Sequence, residues 1–513
     1  MSTRFAQLCA ALVILVAACG NQGTSTTTQT AQKGGDLVIA RVADSQSMDK
    51  ANVFDNESIW VFEQMFEMLY EVTPDGKSVK PWLATKVDIS SDQMTYTFTI
   101  RQNVKFANGQ VMTADDVKFS LDEARAASAG WGYLDVAIKD VAVIDPATVA
   151  VHTLYPWAPL LADIALFANG IVPKDYGGMT HDQFYQHPIG TGPFMWDHWT
   201  KGQELKLVRN PYYWQPGKPY LDSVTWTNVG DDNTRILQLK GGQASVDEFP
   251  PWSSVVSLKS TPGVTMSLFP STRTDYLLMN ERIKSFQDVH VRRAISYAID
   301  RKALVKAVLF SNGTPANSFM PPDVPYYDSK SPGLQFDLDK AKQEMAMSSD
   351  PKGFDTQLKV GTGVVSENSV AQIIQQELKP LGINVTLQPV DPSTEFTDIQ
   401  AFNYTMGFSY WTMDIADPDE LVTFAVDPKG GAFSFYTDYS NSDVTDWTHS
   451  AQHTFDTTQR QTLYSKIQAQ AAQDAFMGFL YYSPYAYAYT SKLHGFLAYP
   501  TGNYHLEEAW LSH

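Results

Sequence analysis

From Gly35 onward, apolar positions recur either every second residue or at a spacing near 3.6, and the two rhythms take turns along the chain. The run "DLVIARV" at 36–42 predicts a buried strand. "ESIWVFEQMFEMLYEV" at 57–72 sets Ile59, Phe62, Met65, Phe66 and Leu69 on one helical face and predicts a helix. Tyr96, Phe98 and Ile100 alternate as a half-buried strand, and Asn108-Gly109 marks a hairpin turn. Thr113 is placed to N-cap a helix from Ala114 to about Ala127, with Asp116 three residues on. "PIGTGPF" punctuates the chain before a strand "LKLVRN", and "TRILQLKGGQASVDEF" predicts a helix closed by Gly241-Gly242. Val291, Ile295, Ile299, Leu304 and Val308 keep helical spacing between Asp288 and Phe310. "QLKVGTG", "SVAQIIQQELKPLG" and "INVTLQPV" spell strand, helix and strand, with Gly382 as the helix stop, so the two strands are expected to be parallel. The chain is α/β.

The N-terminal residues follow neither rhythm. Arg4 is followed by an apolar stretch from Phe5 to Ala18 and then by Cys19. That stretch is shorter than the roughly 20 residues a membrane span needs, and it fits the apolar region of a signal peptide. Val16-Ala17-Ala18-Cys19 resembles the lipobox of bacterial lipoproteins, which implies a signal peptide at 1–18 and a lipid on Cys19. The tract "GNQGTSTTTQTAQKGG" has no large apolar residue, and 19–35 is expected to be a flexible tether. The only other cysteine is Cys9, inside the signal segment, so no disulfide is expected in the mature domain. A net charge of −18 argues against nucleic acid as a partner.

Little in the chain points to catalysis. No G-x-S-x-G elbow or phosphate-binding loop is present, and "GTGPFM" and "GTGVVS" lack the third glycine of a dinucleotide fingerprint. His449 and His453 are four apart, but Ser-Ala-Gln between them supplies no metalloprotease glutamate, and two surface histidines are the simpler reading. The acidic stretch "FSYWTMDIADPDE" at 408–420 fails the alternation, and lacks the later glutamate, of a calcium loop. No cofactor or metal is expected, and the protein is not expected to be an enzyme; a secreted hydrolase is the remote alternative.

The segments "YTFTIRQNVKFANGQVMTADDVKFSL", "PIGTGPF…LVRNPYYW", "LKGGQASVDEF", "DVHVRRAISYAIDRKALVKAVL" and "LKPLGINVTLQPVD" are similar, in order and spacing, to the extracellular solute-binding protein family 5. That family supplies the receptors of ABC importers for dipeptides, oligopeptides, nickel and some oligosaccharides. The resemblance implies a two-lobed, periplasmic-binding-protein-like fold of class II type with the ligand cleft between the lobes. Lobe I is expected to comprise 36–72, 190–270 and 480–513, with an extra subdomain at 73–189, and lobe II 271–479. A monomer is expected, partnered by an ABC permease with its ATPase subunits and touching the membrane only through its lipid.

Trp411, Asp414, Asp417 and Pro418 match the family's W-x-x-D-x-x-D-P segment. In peptide-binding members the residue matching Asp414 pairs with the free α-amino group, and the resemblance implies that role here; a helix-capping or surface aspartate is the alternative. Tyr410 and Trp411 would supply an apolar wall with cation–π capacity. Asp417 and Pro418 are expected to turn the chain and cap the next helix. Arg273, ahead of a hydrophobic strand, is the candidate for a ligand carboxylate, or else a surface residue at a loop tip. Asp44, Ser45 and Gln46 follow the first strand at its carboxyl end, where α/β sheets bind ligands. An oligosaccharide or nickel chelate would use the same fold without an amine clamp at Asp414.

Overall fold

The structure is a computed structural model that describes residues 30–512 except 128–129, 363–364 and 431, with the side chains at 365 and 393 left aside. The expected signal peptide, Cys19 and most of the tether lie outside the described residues. No helix among the described residues is long and apolar enough to cross a membrane.

Two large mixed sheets organise the molecule. The seven-stranded sheet runs Val264–Phe269, Tyr485–Thr490, Val246–Glu248, Asp36–Arg41, Ser223–Asn228, Glu204–Arg209 and Phe194–Thr200 in spatial order. Asp36–Arg41 sits in its middle, parallel to both neighbours, which is why its apolar run is continuous. The six-stranded sheet runs Thr314–Pro315, Met477–Tyr482, Thr274–Met279, Met406–Trp411, Asp355–Gly361 and Asn384–Val390. The expected βαβ unit is its far edge. Asp355–Gly361 pairs in parallel with Asn384–Val390, and Gly382 ends the connection at φ +75°. A four-stranded antiparallel sheet of Ala84–Ile89, Thr95–Ile100, Thr148–Thr153 and Ile138–Asp145 stands apart. In it Tyr96, Phe98 and Ile100 face inward, as their alternation predicts. The chain passes between the two large sheets at 269–274 and again at 482–485.

Local signals fix several elements. The Asp116 carboxylate accepts the Thr113 amide at 2.7 Å and starts the Ala114–Ala126 helix. The helix Asp232–Gly241 closes on Gly242 at φ +76°. Between Asp288 and Phe310 the structure has two helices, Val289–Ala298 and Arg301–Val308, because Asp300 caps the second through the Lys302 and Ala303 amides.

The helix expected over 57–72 is confined to Asn56–Phe62, and Tyr70–Val72 is a strand against Val79–Pro81. Carbonyls that would continue the helix accept amides from elsewhere. Gln64 receives Phe194, Met65 receives Gly192 at 2.8 Å, and Glu67 receives Ile171. This approach also explains "PIGTGPF": a Cβ at Gly190 would stand 1.9 Å from the Met65 carbonyl oxygen, so only glycine lets the two backbones meet.

Candidate ligand-binding site

A cavity of about 630 Å³ is bounded by Phe54 and Asn56 beyond the first strand, Trp131 and Tyr133, the end of the Met406–Trp411 strand, and the helix Pro392–Gln400. Its volume lies in the range of small-molecule sites, roughly 300–1,000 Å³. Aromatic rings make much of its wall. Trp411 stacks on Phe424 with centroids 4.1 Å apart, Phe435 meets both rings, and Phe54 leans on Trp131 at 4.9 Å. Tyr410 keeps 46% of its surface accessible and lines the cavity.

Asp414 sits at the bend beyond this strand and lines the cavity. Its backbone amide and that of Ile415 donate to the Glu420 carboxylate at 2.8 and 3.1 Å, and the Trp411 indole donates to the same group at 3.0 Å. Glu420, fully buried on the helix Asp419–Val426, thus braces the bend. Burial pushes its carboxyl up to about 8 despite these donors. The Asp414 side chain has no cation and no hydrogen-bond donor among the described residues. Burial, then the charges of Glu420 and Glu63, hold it well above the usual carboxylate range. The nearby Tyr133 hydroxyl is buried without a partner, and burial followed by Glu420 and Asp414 raises it well above the usual phenol range. The arrangement can accept a cation: charge on Asp414 is costly until a positive group arrives.

Residues 78–433 match the model of the bacterial extracellular solute-binding proteins, family 5. This protein belongs to that family. The probable D,D-dipeptide-binding periplasmic protein DdpA of Escherichia coli K12 is 32% identical over 486 residues, covering 90% of this chain and 92% of that one. The glutathione-binding protein GsiB of the same organism is 28% identical over 485 residues, covering 92% and 94%. The periplasmic binding protein DppA of Helicobacter pylori, solved with the peptide STSA, superposes with a TM-score of 0.83 at 27% identity, over 94% of this chain and 99% of that one. The two-lobed family 5 fold and an extracytoplasmic, solute-binding role follow.

The family 5 cavity brings Tyr410, Trp411 and Asp414 together but not the other residues singled out from sequence. Arg273 is held by Asp275 through two hydrogen bonds of 3.1 and 2.7 Å, and its guanidinium lies 3.8 Å from the centroid of the Tyr410 ring. It backs the wall rather than lining it. Asp44 accepts the Trp199 indole at 3.1 Å and the Gly202 amide at 2.6 Å. Ser45 is buried between Arg41 and the Glu57 carbonyl, and Gln46 is exposed, its amide on Ser58. These three serve the loop after the first strand, and none reaches the cavity wall. Asp417 accepts the Asp419 amide at 3.0 Å, a turn as expected, and also grips Arg460 with both oxygens at 2.7 and 2.8 Å. The helix that follows begins at Asp419 with Pro418 at its cap. His449 takes the Asp427 carboxylate at 2.8 Å, whereas His453 packs edge-on against Tyr155 and Trp157, so the two do not converge. Elsewhere Glu71, His505 and Glu507 gather, but Glu71 is already matched by Lys80 at 2.9 Å and His505 at 3.0 Å.

Sequence reasoning missed Glu420, Glu367 and Glu395. Glu420 was within reach, six residues from Asp414 in one acidic stretch. Glu367 and Glu395 come from helices far apart in sequence and carry no local signal.

Proposed function

We propose that this protein captures short peptides, or small solutes like them, by a free α-amino group and delivers them to the permease and ATPase subunits of an ABC importer. One observation carries the reading: Asp414 presents a desolvated carboxylate, unmatched by any described cation, to an aromatic-walled cavity. An ammonium there forms a short charge-assisted hydrogen bond and removes the cost of burying the charge. The proteins named for dipeptides, glutathione and a peptide ligand support the same class of solute. On this reading the crossings at 269–274 and 482–485 act as the hinge between lobe I (36–72, 190–270, 480–513, with the 73–189 subdomain) and lobe II (271–479).

Calorimetry with a free and an N-acetylated form of one peptide tests the clamp. The acetylated form is expected to bind about 30-fold or more weakly, the loss for truncating one partner of a buried charge pair. Equal affinities would overturn the reading in favour of a sugar or chelate.

The same proposal has the mature chain begin at a lipid-bearing Cys19 and hang from the membrane by the tract to Gly35. Expressed in a bacterial host, Cys19→Ser is expected to lose labelling by radioactive palmitate and to leave the membrane fraction. Undiminished labelling removes the anchor from the account.

A further inference from the structure

The described cavity wall carries three carboxylates, Asp414, Glu367 and Glu395, and no lysine, arginine or histidine. Glu367 and Glu395 form a pole of their own. Glu395, on the Pro392–Gln400 helix, is only 6% exposed, and its Oε1 has no hydrogen-bond partner. Glu367, in the first turn of the Val365–Leu378 helix, accepts the Gly361 amide at 2.9 Å. The cations nearest this pair are engaged elsewhere: Lys359 with Asp398, and Arg273 with Asp275. Two carboxyls side by side in a desolvated wall cannot both ionise cheaply unless something positive lies between them.

We infer that Glu367 and Glu395 form a second cation subsite of the same cavity, taking a basic side chain of the bound solute, so that the preferred ligand carries two positive charges. The inference rests on the α-amine of that ligand being held at Asp414. A guanidinium or ammonium at the pair bonds to both carboxylates and supplies the charge that the described wall lacks. Burial, with Glu367 adding to it, pushes Glu395 up to about 8, against the opposing pull of Lys359. Burial also raises Glu367, which faces Arg273 and Asp275 as well. With its carboxyl pushed up to about 8, Glu395 carries a proton at neutral pH until a cation arrives, and binding expels that proton to solution. Affinity for a basic solute rises with pH up to about 8 and then levels, beyond any trend shared with a solute lacking the second charge.

Matched di- and tripeptides with lysine or its uncharged counterpart norleucine at each position after the first decide the point by calorimetry. At one position lysine is expected to bind the wild type about 30-fold or more tightly than norleucine. That peptide should also release about one more proton at pH 7, read by repeating the titration in buffers of different ionisation enthalpy. In Glu367→Gln/Glu395→Gln the ratio of the two affinities is expected to collapse toward one. Norleucine peptides that bind through their α-amine with no lysine preference at any position overturn the second subsite and leave the amine clamp standing. Failure of every peptide to bind overturns both.

Discussion

Asp414→Asn is expected to weaken binding of a free-amine peptide by about 30- to 5,000-fold. The substitution keeps the size of the side chain and removes its charge. In the wild type Asp414 lies in the cavity wall with no described cation, and burial, Glu420 and Glu63 all oppose its ionisation. A ligand ammonium reverses that balance; with asparagine it is left desolvated against a neutral amide. N-acetylating the peptide removes the same interaction from the other side, so the two changes should not add in a double-mutant cycle. Asp44→Asn is the contrast, because that carboxylate is engaged by Trp199 and Gly202 away from the cavity, and affinity should move by less than about threefold. Since Asp414 must be ionised to hold an ammonium and its free-state pKa is raised, wild-type affinity is expected to fall as the solution is acidified through that pKa. If Asp414→Asn binds free and acetylated peptides as the wild type does, the clamp is wrong.

Arg460→Ala is expected to cost about 3–5 kcal/mol of stability, the usual loss when one partner of a buried ion pair is removed. Both partners are almost inaccessible, with side chains 6% and 8% exposed, and the guanidinium also lies over Tyr326 and Tyr464 at 5.0 and 5.4 Å. Without it Asp417 stays buried beside Asp419, whose carboxyl burial and Asp417 already push up to about 7. The double variant Asp417→Asn/Arg460→Met should lose much less, because no charge is stranded. Urea unfolding followed by tryptophan fluorescence measures both. A loss below about 1 kcal/mol for Arg460→Ala would show the pair behaving like a surface salt bridge. The result bears on binding too, since this pair fixes the turn that follows Asp414 and leads into the helix carrying Glu420.

What the sequence determined by itself is what short-range physics controls. The alternation of Tyr96, Phe98 and Ile100 is a strand because one face of that sheet is buried, and a one-residue slip would expose all three. Asp116 starts a helix because its carboxylate reaches the Thr113 amide within one turn. Gly242 and Gly382 end their helical stretches because each takes a positive φ that side chains resist. Tyr410, Trp411 and Asp414 were legible as candidate pocket residues because they are neighbours in the chain, and Glu420 stood only six residues beyond Asp414 without being singled out.

Tertiary structure alone decided the rest, where a group's partner is distant in sequence. Residues 63–69 carry a helix's apolar spacing, yet the carbonyls of Gln64, Met65 and Glu67 bond to amides more than a hundred residues away, so the helix stops at Phe62. Asp44 occupies the position where such sheets bind ligands, but Trp199 and Gly202 had already claimed its oxygens. Glu367 and Glu395 are ordinary helix-face acids in the sequence. Only packing sets them side by side in the wall of one cavity, and a carboxylate's charge becomes costly through what surrounds it rather than through its neighbours along the chain.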